Sequence, residues 1–388
     1  MQIVVNRQDL LTVLKRAGSA IDPNTMLSVQ KGVLIVASTT AGEPKLTIGA
    51  TDGQLAVVQK FDLGEVKEPG SAVLTYRDLL QRIDNMPPGL IEITVAADFK
   101  TSIRSSSSKR KFAMTGLDPV DFPPLLKQRP GEALYSVEAK ILQQSASETE
   151  FAISSDLTQG ILLVPGDDKI FQLVSLGRYA FAVATGWFTD RHGGESAREC
   201  LLPKNLLEAV GALPKEAILT LSADEQKIFV STPDTLIIAG QLQTQMPEVW
   251  RQILKSAPTQ KRFRVSSEAF LSSVKAVSVA ADFVEGAERF VQIDVIANEG
   301  EVVIRTKESK RSQGEDELIV SDAAPGKFQL HVDAGLLSAA LRAFQPTEID
   351  LYFDVIGGQE ALFLKNETLS AMLQLIAVIP SPPPKDKK

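Results

Sequence analysis

Three segments of this 388-residue chain repeat one another at a spacing of about one third of its length. Each repeat opens with an amphipathic helix pattern, carries a second one further on, and closes on an apolar stretch that ends in proline. The matching apolar pairs begin at Leu10, Ile141 and Phe270 for the first helix and at Leu79, Leu206 and Leu336 for the second, and the closing prolines are Pro123, Pro247 and Pro380. Such a long period indicates tandem whole domains rather than a solenoid of short units.

Within each repeat the pattern is helix, three or more strands, helix, and three strands. Residues Ile91–Val95 alternate apolar and polar side chains, which is typical of a half-buried strand. Thr75 and Asp78 have the spacing of a capping box at the start of the second helix, and Pro87-Pro88-Gly89 ends that helix. We therefore predict an α+β fold in which two helices pack on antiparallel sheet in each of three tandem repeats.

Polar, proline-containing connectors divide the chain into domains. They are Lys127–Glu132 and Leu254–Arg262, and they predict one domain over residues 1–126, a second over 132–254 and a third over 262–380. Residues 381–388 include no hydrophobic side chain to bury, so we expect a disordered tail.

The net charge of −7 argues at first against a nucleic-acid binder, because proteins that read DNA grooves are usually basic. The cations are not evenly spread, however, and an acidic protein can bind DNA when its basic groups share one surface. The predicted helices contain Lys15, Arg16, Arg77, Arg82, Lys204, Lys275 and Arg342. The alternative is that these are ordinary solvated helix faces.

A second cluster, Lys109–Lys111, follows a serine-rich turn and is either a phosphate contact or a charged hairpin tip.

Several classes of protein are disfavoured by what the sequence lacks. The single Cys200 allows no intramolecular disulfide and fits a reducing cytoplasm. With His192 and His331 as the other soft ligands, we expect no metal site. There is no apolar run of membrane-spanning length and no recognisable secretory signal, so we expect a cytoplasmic protein without a membrane partner. Phosphate-binding loops and hydrolase or zinc-protease motifs are also missing, so we predict no catalytic residues and no cofactor.

Taken together, the segments resemble the β subunit of bacterial DNA polymerase III, the DNA sliding clamp family. The resemblance extends to Pro380 and includes Asp-Phe-Pro at Asp121–Pro123 and Met-Pro-x-x-Trp-Arg at Met246–Arg251, where the family ends its first and second domains. The best segments are Met26–Ala37, Lys45–Val58, Arg110–Leu125, Leu201–Val210 and Gln245–Leu254. Their order, spacing and threefold recurrence carry the resemblance, since no segment is specific alone.

This resemblance implies three DNA-clamp domains per chain and a head-to-tail homodimeric ring around double-stranded DNA. Such a clamp is a non-catalytic processivity factor for DNA replication: it tethers a DNA polymerase, and an ATP-driven clamp loader opens it. A cationic lining attracts phosphates without reading bases, so the encircled DNA is bound independently of sequence. The resemblance assigns Lys15, Arg16, Asn24, Arg77, Arg82, Lys140, Lys204, Lys275 and Arg342 to the DNA-facing channel.

The family also has a pocket between its second and third domains, in which polymerases and the loader dock a short peptide motif. By position, the pocket residues are Leu157, Gly177, Arg178, Phe181, Pro247, Arg251, Ala377, Ile379 and Pro380. The segment Val174–Val183 departs from the family's T-D-G-H-R-L-A pattern and is one residue longer, and Gly335 replaces a family tyrosine. These departures imply a different motif preference. For Pro247 and Pro380 the alternative is that they merely end edge strands.

Two further functions remain open from the sequence. One is a clamp paralogue dedicated to repair, translesion synthesis or a mobile element, which the departures in the second and third repeats would suit. The other is an enzyme or adaptor unrelated to clamps and built on three α+β domains.

Overall fold

The computed structural model describes residues 1–40, 43–62, 65–153, 159–192, 198–242, 244–255, 261–280, 283–284, 288–296, 301–306, 313–324, 327–344, 346–356 and 359–374. The chain divides into two compact units. Unit one consists of Met1–Gln143 and Trp187–Leu242, and unit two of Gln144–Gly186 and Gln243–Lys388. None of the helices in the described ranges combines the length and the apolar character needed to cross a membrane.

The helices of the described residues confirm the repeat. They are α1 (Arg7–Ala17), α2 (Tyr76–Asp84), α3 (Ala139–Thr149), α4 (Lys204–Gly211), α5 (Val249–Lys255), α6 (Ser267–Ser278) and α7 (Ala334–Ala343). Short 3-10 helices cover Gly18–Ala20, Ser28–Lys31, Pro119–Asp121, Leu125–Lys127 and Glu150–Ala152. The pairs α1 and α2, α3 and α4, and α6 and α7 are the six predicted helices. The sequence pattern did not predict α5, which buries Trp250 and Ile253 one turn apart.

Side chains cap three of these helices. Asn6 accepts a hydrogen bond from the backbone N–H of Gln8 at 2.8 Å, and Asp333 accepts one from that of Leu336 at 2.6 Å. Ser266 caps α6 through the N–H of Ala269. The predicted capping box at α2 is wrong: Thr75 is the N-cap residue, but its side chain forms no capping bond.

The strands are short and numerous. Those of the first repeat are β1 (Gln2–Asn6), β2 (Gly32–Thr40), β3 (Glu43–Thr51), β4 (Leu55–Asp62), β5 (Glu65–Glu68), β6 (Gly70–Thr75), β7 (Leu90–Val95), β8 (Lys100–Ser105) and β9 (Lys111–Thr115). The second repeat contains β10 (Tyr135–Glu138), β11 (Gly160–Pro165), β12 (Ile170–Leu176), β13 (Ala180–Trp187), β14 (Asp190–Arg191), β15 (Cys200–Pro203), β16 (Ile218–Ala223), β17 (Lys227–Ser231) and β18 (Thr235–Gly240). The third contains β19 (Lys261–Ser266), β20 (Phe283–Val284), β21 (Glu288–Ile296), β22 (Glu301–Thr306), β23 (Glu315–Ile319), β24 (Lys327–Asp333), β25 (Glu348–Ile356), β26 (Gln359–Lys365) and β27 (Leu369–Gln374).

Unit one contains two antiparallel sheets. One has the strand order β5-β1-β7-β8-β9, and the other has the order β14-β10-β16-β17-β18-β4-β3-β2-β6. In the larger sheet, β18 of the second repeat pairs with β4 of the first, with Ile237 opposite Val57. Leu10 and Leu14 of α1 are completely buried, and α1 packs on β3 and β4. A second apolar cluster, which includes Phe122, Leu125 and Phe229, also lies within this unit.

Unit two repeats the same arrangement. Its strands run in the order β11-β12-β13-β27-β26-β25-β19, and a second sheet has the path β20-β21-β22-β23 with β24 on β21. Here β13 of the second repeat pairs with β27 of the third, with Ala182 opposite Ala371. Phe270 of α6 and Leu337 of α7 lie in the core formed between these helices and the strands. The α+β fold with three tandem repeats is therefore confirmed.

Sheet topology also shows which strands correspond. The path β1-β7-β8-β9 of the first repeat has the same order as β10-β16-β17-β18 and β19-β25-β26-β27, each beginning with the strand that precedes the first helix. Likewise, β6-β2-β3-β4 has the same order as β24-β21-β22-β23, each beginning with the strand before the second helix. Thus β9 corresponds to β18 and β27, and β23 corresponds to β4.

Candidate DNA-facing and partner-binding residues

The two helices of each repeat are tied together at one end. Arg7, the first residue of α1, donates from Nε to the carbonyl of Ile83 near the end of α2 at 3.0 Å. In the second repeat, Gln143 Nε2 donates to the carbonyl of Val210 in α4 at 2.9 Å. In the third, Ser267 at the start of α6 donates to the carbonyl of Phe344 just after α7 at 3.3 Å. The start of the first helix therefore meets the end of the second in every repeat.

In the first repeat this antiparallel arrangement gathers cations at the opposite end of the pair. A Cβ atom added to Gly18, which directly follows α1, would lie 2.2 Å from the hydroxyl oxygen of Tyr76, the first residue of α2. This close approach brings the last turn of α1, with Lys15 and Arg16, to the first turn of α2, with Arg77. Lys15 and Arg77 are exposed and Arg16 is half-buried.

The remaining DNA-facing candidates also occupy accessible positions. Arg82 is half-buried in the last turn of α2, Lys275 and Arg342 are exposed in the last turns of α6 and α7, and Lys140 and Lys204 are exposed in the first turns of α3 and α4. Asn24 is exposed and lies outside the helices, where its backbone N–H bonds to Asp22 Oδ1. Arg82, Lys275 and Arg342 lie in last helical turns, where a cation also interacts favourably with the helix dipole, so these three positions stabilise the fold as well.

Carboxylates neutralise two of these cations. Arg82 Nη1 lies 3.5 Å from Asp78 Oδ1, and Lys204 Nζ lies 3.9 Å from Glu208 Oε1, both at a spacing of four residues. Among the described residues, no salt bridge is formed by the other six cationic candidates, Lys15, Arg16, Arg77, Lys140, Lys275 and Arg342. These six cations are therefore the better candidates for phosphate contacts.

In the part of the chain that the structure describes, no three His, Cys, Asp or Glu side chains come together to hold a metal ion. The Cys200 side chain is buried, and burial raises the pKa of its thiol. A thiol that stays protonated is a poor nucleophile and a poor metal ligand.

Two of the pocket candidates lie at the start of α5 in unit two. Pro247 is exposed just before this helix, and Arg251 is half-buried within it. The Arg251 guanidinium carbon is 4.3 Å from the centroid of the buried Trp250 ring, and its Nε donates to Glu248 Oε2 at 2.6 Å. The stacking and the salt bridge hold the guanidinium in a defined position. No role was predicted for Trp250 or Glu248, although both lie within the Met-Pro-x-x-Trp-Arg motif.

The hairpin between β12 and β13 contains three other candidates, also in unit two. The N–H of Gly177 donates to the carbonyl of Ala180 at 2.8 Å, which closes the turn. Arg178 is exposed at its tip, 5.9 Å from the centroid of the Tyr179 ring, and 51% of Tyr179 is exposed. Phe181 is only 2% exposed, so it offers a peptide almost no contact area in this conformation. Leu157, Ala377, Ile379 and Pro380, together with the tail 381–388, lie outside the described residues.

Known proteins resemble this chain in sequence and in fold. Residues 1–126 match the family model of the DNA polymerase III beta subunit, N-terminal domain. The beta sliding clamp of Halalkalibacterium halodurans is 24% identical over 71% of this chain and 73% of its own length. That of Staphylococcus aureus is 21% identical over 98% of this chain and 99% of its own. The crystal structure of the beta subunit from DNA polymerase of Streptococcus pyogenes superposes with a TM-score of 0.83 at 14% identity, covering 97% of this chain and all of that one.

Proposed function

We propose that the chain is a member of the DNA polymerase III β-subunit family and a DNA sliding clamp that tethers a DNA polymerase for processive replication. The observation that carries the proposal is the recurrence of one antiparallel helix pair in all three repeats, with accessible cations on its helices. The clamp fold that this chain shares over 97% of its length supports the same function.

In this function the exposed cations attract phosphates and no side chain reads a base. Lys15, Arg77, Lys275 and Arg342 provide charge that no carboxylate in the described residues neutralises. Phosphate contacts alone give binding that is independent of DNA sequence and sensitive to salt. A tether of this kind requires neither a catalytic group nor a cofactor, and it acts in the cytoplasm, where bacterial chromosomes are replicated.

The clamp works as a homodimeric ring in which each copy contributes three domains, 1–126, 132–254 and 262–380. A ring needs a contact between two different surfaces that closes after two copies, which is a head-to-tail association. Sedimentation should then give about twice the chain mass of 42.0 kDa. A strict monomer at micromolar concentration would contradict this proposal. The alternatives of a specialised paralogue or an unrelated enzyme are not favoured, because the relatives compared are named beta sliding clamp.

The partner site of the clamp is the pocket to which Pro247, Arg251 and the β12–β13 hairpin contribute, together with Leu157, Ala377, Ile379 and Pro380. Its ligands are short peptides from DNA polymerases and from the clamp loader. Arg251 is pre-positioned by Trp250 and Glu248, so it loses little side-chain freedom on binding a peptide. Tyr179 adds an exposed aromatic surface beside Arg178 that suits apolar anchors.

Substitution of Arg251 tests the pocket. We expect Arg251→Ala to raise the dissociation constant of a fluorescent polymerase-derived peptide about fivefold, which corresponds to about 1 kcal/mol of binding free energy. Lys255→Ala is the matched control, because Lys255 is an exposed cation in the last turn of the same helix. Equal affinities of the two variants would exclude Arg251 from the pocket, and unchanged melting temperatures would exclude unfolding as the cause of any loss.

A further inference from the structure

Three side chains with nucleophilic or titratable groups meet at one end of the larger sheet in unit one. The short strand β14 is the end strand of that sheet in the described residues, and it pairs with β10 in a register that places Ser136 opposite Asp190. The pairing continues past β14, because the backbone N–H of His192 donates to the carbonyl of Leu134 at 3.0 Å. Side chains two residues apart on a strand point to the same face. Ser136, Asp190 and His192 therefore share one face of the sheet.

The contacts among these three residues run in the order serine, imidazole, carboxylate. Ser136 Oγ lies 2.8 Å from Nε2 of His192, which is within hydrogen-bond reach of a base. On the other side of the ring, Nδ1 of His192 lies 3.8 Å from Oδ2 of Asp190. This carboxylate favours the tautomer with the proton on Nδ1, since that proton then faces a negative charge. Nε2 keeps its lone pair and accepts the hydrogen bond that the Ser136 hydroxyl donates.

An imidazole is an unusual partner for a buried hydroxyl in this unit. The buried Thr51, for comparison, donates from Oγ1 to the backbone carbonyl of Leu55 at 2.8 Å. A carbonyl oxygen accepts a hydrogen bond but is too weak a base to take the proton. An imidazole nitrogen takes protons readily and is the most frequent general base in enzymes. The partner of Ser136 can therefore remove its proton, whereas the partner of Thr51 only orients the hydroxyl.

Exposure differs along this set of contacts. Ser136 is only 7% exposed, and its hydroxyl is held by the imidazole. The side chains of His192 and Asp190 are 38% and 57% exposed. The site therefore opens to solvent at the imidazole and the carboxylate, and a reagent reaches the hydroxyl from that side.

We propose that Ser136 is a nucleophile activated by His192, and that it accepts an acyl group from esters with a good leaving group. The serine oxygen forms a bond to the carbonyl carbon, and its proton moves to Nε2 of His192. The bond between that carbon and the leaving-group oxygen breaks, and the leaving group departs with the electron pair. Asp190 is a positioning residue, because it holds the proton on Nδ1 and stabilises the imidazolium that forms. This chemistry lies beyond the proposed clamp and does not depend on it.

The substrate class follows from the reacting groups. An ester with a good leaving group, such as an aryl ester, requires the least stabilisation of the oxyanion that forms on its carbonyl oxygen. Such a leaving group also departs as the anion, so no second acid is needed. Aryl esters are therefore the substrates that a serine, an imidazole and a carboxylate suffice to attack.

A fluorophosphonate probe tests the serine directly, because a serine activated by a neighbouring base displaces its fluoride and becomes phosphonylated. The unmodified chain should acquire a single adduct, and mass spectrometry of its peptides should place this adduct on Ser136. Ser106–Ser108 are exposed and provide an internal control for accessibility. If reactivity followed accessibility alone, these serines would be labelled before Ser136, and that result would overturn the proposal. An unlabelled Ser136 would overturn it as well, and neither result requires a variant that folds.

Variants distinguish an activating imidazole from a structural one. His192→Gln keeps a hydrogen-bonding side chain but removes the base, so labelling of Ser136 should slow about 100-fold, the lower end of what a positioned general base contributes. His331→Gln is the matched control, because it removes the other histidine of the chain and should leave the rate unchanged. Asp190→Asn should also slow labelling, and Asp190→Glu, which keeps the carboxylate, should restore it. Equal labelling rates of the unmodified chain and of His192→Gln would show that His192 activates nothing.

Acyl transfer itself is measured with p-nitrophenyl acetate. The unmodified chain should release p-nitrophenolate in a burst equal to the amount of protein, and acetylation should appear on Ser136. Ser136→Ala should lose the burst at an unchanged melting temperature, and a burst that persists in this variant would contradict the proposal. Threading of Ser136→Ala onto DNA should be unaffected, so a failure of this activity and a failure of the proposed clamp can be told apart.

Discussion

The cations that lack a carboxylate partner should contribute most of the salt dependence of DNA binding. The test compares two double variants, Arg77→Gln with Lys275→Gln and Arg82→Gln with Lys204→Gln. Both remove two helix cations per chain. The first pair forms no salt bridge among the described residues, whereas Asp78 and Glu208 already neutralise much of the second pair.

The size of the effect follows from counterion release. The slope of log K against log salt is negative, and each lost phosphate contact reduces its magnitude by about 0.9. The four cations lost per dimer can therefore reduce this magnitude by up to about 3.6. One contact changes the ratio of affinities at 50 and 200 mM salt by about 3.5-fold. We expect the Arg77/Lys275 variant to lose at least one contact more than the Arg82/Lys204 variant.

Stability should not obscure this comparison. Lys275 lies in the last turn of α6, so its neutralisation costs at most about 1 kcal/mol of favourable helix-dipole interaction. That is small beside the roughly 5–15 kcal/mol by which domains are stable. Fluorescence anisotropy of a labelled duplex, repeated at several salt concentrations, gives the slopes. Lys365→Gln, on strand β26, is the control and should leave the slope unchanged.

Equal slopes for the two double variants would refute the assignment of free cations to the DNA. If none of the variants changes the slope of log K against log salt, the helix cations form only a solvated face, which is the alternative that the sequence leaves open.

Two further predictions concern stability. A Cβ atom at Gly186 would lie 2.4 Å from Cζ of the completely buried Phe171, so Gly186→Ala should lower the free energy of unfolding by about 1–3 kcal/mol. A Cβ atom at Gly211 in α4 would have no atom within 4 Å, so Gly211→Ala should raise the free energy of unfolding by up to about 1 kcal/mol. Equal effects of the two substitutions in chemical denaturation would contradict the packing described. The hydrogen bonds from Arg264 at 2.7 and 3.0 Å hold the pKa of Asp350 below its ordinary value of 3.8. A carboxyl group whose pKa is lower in the folded state contributes stability that is fully present above its unfolded pKa and is lost as the pH falls through its folded pKa. In a plot of melting temperature against pH, Asp350→Asn should therefore reduce the fall in melting temperature below about pH 4. An unchanged fall would contradict this role of Asp350.

The helix pairs could be predicted because their apolar residues recur at three- and four-residue spacing. Leu10 and Leu14, for example, lie one turn apart and both are completely buried. α5 was missed because it has only seven residues and follows Pro247, which resembles the end of a strand. The pairing of β18 with β4 could not be predicted either, because periodicity within a strand carries no information on its distant partner.

The candidate sites were predictable to a different degree. The helix cations follow from amphipathic patterning, since residues outside the apolar stripe must face away from the core. Their neutralisation by Asp78 and Glu208 could have been found from the four-residue spacing of each pair. The stacking of Arg251 on Trp250 depends on side-chain conformation, which the spacing of residues in the sequence does not reveal. The channel and pocket roles themselves stay predictions.

Encirclement of DNA is the central claim, and threading over a free DNA end tests it most directly. The substrate is a linear duplex bound to a surface at one end, whose other end is either free or blocked by streptavidin on biotin. A ring threads over a free end and cannot pass a blocked one, so we predict retention on the first duplex and almost none on the second at moderate salt. Adding streptavidin after threading should trap the protein through a high-salt wash. Equal retention on free and blocked DNA, with equal loss in high salt, would show ordinary surface binding and contradict the clamp.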